Sequence, residues 1–130
     1  MSHPVGDLIR GTFAAFDRGD IEALRNQYFA DDIRLHVPGR SPLAGDYDGW
    51  AQVIGFFGRI RELSEGTFHT ELHDVVANDD QAVAVFTLRA ERAGRRLEDR
   101  TLEIFHVRDG KAAEAWLYPA DLYANDEFWA

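Results

Sequence analysis

Glu103 is the residue whose setting most plainly invites chemistry. It stands between Leu102 and Ile104 in an otherwise apolar run and shares its parity with Thr101 and Phe105. A carboxyl on the apolar face of a strand has its charged form disfavoured, so its pKa climbs toward the range useful for general acid or base work. The competing assignment is an acid satisfied by an arginine or a backbone group, or one that faces water across a dimer edge. His36 is the second candidate catalytic residue, at the end of the alternating run Ile33, Leu35, Val37 and beside Pro38-Gly39. Histidine is the side chain most easily poised near neutral pH. Alternation sends His36 to the face opposite Val37, so only a bulge before Pro38 would turn it inward; otherwise it is a hydrogen-bonded structural histidine.

Other constellations are weaker. His69 and His73 would bind a metal together on a helix, but the surrounding Phe68, Leu72 and Val75 read as a strand, where residues four apart are separated by ~13 Å. No nearby spacing brings His106 to them, so no metal site is expected. The paired acids Asp31-Asp32, Asp79-Asp80 and Glu98-Asp99 fall at turns or hairpin ends, where solvation or turn hydrogen bonding accounts for them. The serines, Ser2, Ser41 and Ser64, include none in a Gly-x-Ser-x-Gly elbow, and no glycine-rich loop follows a strand to cradle phosphate.

Composition narrows the classes further. The chain has no cysteine, which excludes disulfides, thiolate nucleophiles and cysteine-based metal sites. With 14 Lys and Arg against 23 Asp and Glu, the net charge of −9 repels phosphate backbones and anionic membranes, so neither nucleic acid nor a membrane surface is an expected partner. The opening residues lack a basic stretch followed by an apolar core, and no apolar run reaches the length of a membrane span. A cytoplasmic protein is the expectation. At 130 residues and 45% hydrophobic content, the chain suits one domain, residues 1–130, with its own core.

The elements that must position Glu103 and His36 follow from periodicity. Leu8, Ile9, Phe13 and Phe16 predict a helix over about 5–18, ended by Gly19. Asp20 caps a second helix carrying Ile21, Leu24, Tyr28 and Phe29 on one side. A short strand through Ile33–Val37 stops at Pro38-Gly39, and a loop over 40–48 delivers Asp48 as the cap of a third helix running to about Leu63. From Thr67 onward four strands are separated by the turn signals Asn78-Asp79-Asp80, Ala93-Gly94-Arg95 and Asp109-Gly110. The densely charged run from Arg89 to Arg100 is expected to project into water. The tail from Asp121 holds a short helix. The sum is an α+β domain: three N-terminal helices packed on a curved, mainly antiparallel sheet, forming a cone around an apolar pocket.

Gly19-Asp20-Ile21-Glu22-Ala23-Leu24, then Ala30-Asp31-Asp32, then a strand ending at Pro38, resembles the opening of the ketosteroid isomerase and SnoaL-like cyclase branch of the nuclear transport factor 2-like superfamily. The stretch from His36 to Gly45 is similar to a bacterial SnoaL-like subgroup. The resemblance covers about residues 5–119. It implies a base immediately before the strand-ending proline, a tyrosine on the first helix and a hydrogen-bonding acid on the strand leading to the last hairpin. Those positions hold Val37, Thr12 and Glu103, so the ordinary steroid-isomerase mechanism is not expected. It also implies a homodimer through the open sheet face.

The expected ligand is a small apolar molecule, bound without metal or redox cofactor. The expected pocket wall comprises Phe16, Tyr28, Val37, Trp50, Phe57, Phe86 and Trp116, with Trp116 alternatively on the open sheet face. The leading expectation is an isomerase, cyclase or hydrolase acting on an apolar carbonyl compound, with Glu103 and His36 moving the proton. A noncatalytic carrier and a protein-interaction dimer are the alternatives.

Overall fold

The computed structural model describes residues 3–130. Helix α1, Pro4–Asp17, begins where the His3 ring accepts a hydrogen bond from the Val5 N–H, with Pro4 preorganised at its first position. Gly19, at φ +70°, reverses the chain. Asp20 then caps helix α2, Ile21–Ala23, through the Ala23 N–H.

The expected amphipathic second helix is not a regular one. After a single α turn it widens into a π-helical turn, Leu24–Tyr28, and strand β1, Phe29–Val37, starts four residues ahead of Ile33. The π turn keeps Leu24 wholly buried while the chain swings directly into the sheet. Asp31 and Asp32 fall not in a turn but in an irregularity within β1, where pairing shifts between Phe29 and Arg34. Strand β2, Gly45–Asp48, forms inside what reads as a loop, and Gly49 rather than Asp48 stands at the N-cap of α3, Trp50–Leu63. Gly49 takes φ +84°, a conformation open to glycine at little strain.

Four strands follow: β3, His69–Ala77; β4, Gln81–Arg92; β5, Arg95–Arg108; and β6, Lys111–Pro119. The tight turns between β4 and β5 and between β5 and β6 place Ala93-Gly94 and Asp109-Gly110 at positive φ, as two-residue hairpins with right-handed twist require. Helix α4, Leu122–Trp129, completes the chain.

The sheet has six strands in the order β2-β1-β6-β5-β4-β3. Among the described residues only β1 and β6 run parallel; the other pairs are antiparallel, so the sheet is mixed. Its inner face packs on the helices around Ile9, Leu24, Val53 and Phe105. The register aligns Ala84, Glu103 and Leu117 across β4, β5 and β6 on that inner face. Among the described residues, no helix is long and apolar enough to cross a membrane.

Candidate functional site

A cavity of about 140 Å³ lies between the inner sheet face and the helices, and its wall is largely aromatic and aliphatic, with polar groups at Thr70, Thr101 and the Ser41, Asn125 and Asp126 side. Glu103 enters it from the middle of β5, with Phe86 and Phe105 from the same face of the sheet and Phe16 and Phe57 from α1 and α3. Among the described residues no Lys, Arg or His lines it. Glu103 is part-buried and borders this cavity. Neither a hydrogen bond nor a neighbouring charge offsets the loss of water around the carboxyl, and burial alone pushes its pKa up to about 8.

The positions singled out in the sequence divide between two faces. Phe16, Val37, Phe57 and Phe86 join Glu103 in the cavity wall. Thr12 also borders it, but its hydroxyl donates to the Leu8 carbonyl at 2.8 Å, so its proton is already placed. Tyr28 instead packs against Gly11, where its ring fills the space a Cβ would need. Trp50 borders a separate surface cleft with the Arg25 guanidinium 5.9 Å from its ring centroid.

His36 and Trp116 lie on the outer face of the sheet. The irregularity in β1 precedes Ile33, so alternation holds from there to Pro38 and the inward bulge that would redirect His36 does not occur. Its Nδ1 lies 2.6 Å from Asp46 and its Nε2 2.6 Å from Glu114, and its ring stacks on Trp116 with centroids 5.4 Å apart. Nearby, Ile104 pairs with Trp116, and Leu102 (41% exposed) pairs with Tyr118 (50% exposed), making an apolar strip across β5 and β6.

Asp99 corrects the reading of the charged hairpin. It shares inward parity with Thr101 and Glu103 and is only 6% exposed. Its carboxylate accepts from the Thr101 hydroxyl, the N–H groups of Ala120 and Asp121, and the Asn125 side-chain amide. The part of the wall that sequence reasoning missed is α4, which contributes Leu122, Asn125, Asp126 and Trp129. Leu122 and Trp129 marked a helix with an apolar side, but where a terminal helix docks is a tertiary property with no local signature.

His69 pairs with Asp17 and His73 with the Thr87 hydroxyl. Among the described residues no group of three or more His, Asp or Glu side chains is arranged to hold a metal ion.

Comparison with known proteins identifies the family and the fold. The family model for the SnoaL-like domain matches residues 9–115. An uncharacterized protein of Mycobacterium tuberculosis strain H37Rv is 41% identical over 125 residues, covering 95% of each chain, and one of Mycobacterium bovis matches to the same extent. Among solved structures, Bal32a from a soil-derived mobile gene cassette is 34% identical, with 95% of each chain covered and a TM-score of 0.91. A protein from Xanthomonas campestris with a cystatin-like fold is 26% identical, with 99% of each chain covered and the same TM-score. The chain belongs to the SnoaL-like domain family of the nuclear transport factor 2-like superfamily.

Proposed function

We propose that this protein binds a small, uncharged, apolar carbonyl compound in its cavity and that Glu103 acts there as general acid and base. The observation that carries the reading is an unpartnered carboxyl in a cation-free apolar wall. A carboxyl with its pKa near 8 holds its proton at neutral pH, so it can donate to a carbonyl oxygen. The carboxylate left behind is poorly solvated and recovers a proton readily, which suits an isomerisation or an intramolecular cyclisation needing one proton shuttle. Val37 and Thr12 supply no second group, and His36 lies across the sheet. An anionic ligand would meet two acids, Glu103 and Asp126, and no counter-charge.

A cavity of about 140 Å³ compares with the ~150 Å³ that accepts benzene elsewhere. Acetophenone is therefore a fitting first probe. Its methyl protons exchange with D2O through the enol, and the wild-type protein should accelerate that exchange. Glu103→Gln should lower the acceleration by roughly 100-fold or more while binding changes little. Equal exchange with both proteins, despite binding to both, would instead favour a noncatalytic carrier. The half-exposed strip of Leu102, Ile104, Trp116 and Tyr118 supports a companion proposal, that a second copy of the chain covers the outer face. A purely monomeric chain in sedimentation equilibrium would contradict that part alone.

A further inference from the structure

The cavity is bordered on two sides by contacts of different kinds. On the α1 and α3 side the contacts are aromatic: the Phe16 ring centroid lies 5.1 Å from that of Phe57 and 6.0 Å from that of Phe68, and Phe68 reaches Trp129 at 6.4 Å. On the other side α4 faces the loop after β1, and the contacts are polar. There Oδ1 of Asp126 accepts from the backbone N–H groups of Arg40 at 2.8 Å and Ser41 at 3.1 Å. Gly39, at φ +105°, lies against the same carboxyl, and a Cβ there would collide with it. Pro38, Ser41, Asn125 and Asp126 all border the cavity, so this seam is part of its wall.

Both ends of α4 are held elsewhere. Asp99 on β5 grips its start through the N–H groups of Ala120 and Asp121 and the Asn125 amide. At its end, Arg92 donates to the carbonyls of Phe128 and Ala130, and Arg95 to that of Glu127. The helix is thus fastened to the β4–β5 hairpin, while Asp126 ties it to the loop. Parting the aromatic side would expose rings to water without compensation, whereas parting the seam exchanges two near-surface hydrogen bonds for bonds to water.

We propose that small molecules enter the cavity through the seam between α4 and the Gly39–Ser41 turn, with Asp126 as the latch that holds the two sides of that seam together. This rests on the reading that the cavity admits a small molecule, and it adds the route and the residue that regulates passage. Each latch hydrogen bond favours the closed seam by roughly fivefold, so losing both raises the open population by about twenty-five-fold. A latch that gates passage speeds entry and exit together.

The test compares wild type, Asp126→Ala and Gly39→Ala, the last displacing the carboxyl from the loop side should the first fail to fold. Acetophenone exchange is followed by NMR line shape, and amide hydrogen exchange is measured on the ligand-free proteins. Association and dissociation should both rise by roughly ten- to thirtyfold. The amides of Arg40 and Ser41, which lose their acceptor, should exchange faster, and those of β4 and β5 should not. Wild-type ligand rates in folded variants would overturn the latch. If acetophenone binds none of the three proteins, the cavity reading loses its support, and the Arg40 and Ser41 amides decide the latch alone: unchanged exchange in the variants would overturn it too.

Discussion

Glu103 and His36 sit on opposite faces of one sheet, and their surroundings differ in kind. Both ring nitrogens of His36 face carboxylates, and because neutral imidazole carries one N–H, only the imidazolium can donate to Asp46 and Glu114 together. The hydrogen bond to Asp46 raises its pKa most, burial opposes, and Glu114 adds to the rise. Arg34 completes the group, bonding Asp48 at 2.8 Å and approaching Glu114 at 3.7 Å. Glu103 has apolar neighbours and a cavity instead of partners. On the outer face the charges are paired with one another across β1, β2 and β6. An unsatisfied acid on the inner face contributes nothing comparable to folding, and its presence there makes sense if a ligand completes it.

Removing each group in turn sharpens the contrast, and the largest effect belongs to Glu103. Between pH 4.5 and about 8 the native state keeps the Glu103 proton that the unfolded chain releases. Wild-type stability should therefore fall across that window by up to about 1.4 kcal/mol per pH unit, and Glu103→Leu should abolish that decline. His36→Gln should act in a different window and by less, since Asp46 is largely exposed. The raised His36 pKa means that its stabilisation is full below 6.5 and is lost as pH rises through the folded value. Denaturant unfolding of wild type and both variants from pH 4 to pH 9 measures both. Identical pH profiles for wild type and Glu103→Leu would break the comparison.

Much of this contrast is legible in the chain. The parity of Leu102, Glu103 and Ile104 and that of His36 and Val37 are local facts, and a strand converts parity into faces directly. What escapes local reading depends on contacts between distant segments. Asp99 reads as a solvated hairpin acid until the chain around residues 120–125 returns to donate hydrogen bonds to it. Tyr28 and Trp50 have the composition of a ligand wall, yet the π turn and the start of α3 turn them onto Gly11 and Arg25. The irregularity in β1 was a possible device for bringing His36 inward, and its place ahead of Ile33 leaves the alternation through Val37 undisturbed.

The most direct test of the central claim is a pH titration of the Glu103 carboxyl by isotope-edited NMR, with and without acetophenone. A midpoint near 8 that moves when the ketone is added is the predicted result, since the ligand would displace water and meet the acid. A midpoint near the ordinary glutamate value of about 4.3, unmoved by the ketone, would place the carboxyl in water and contradict the account.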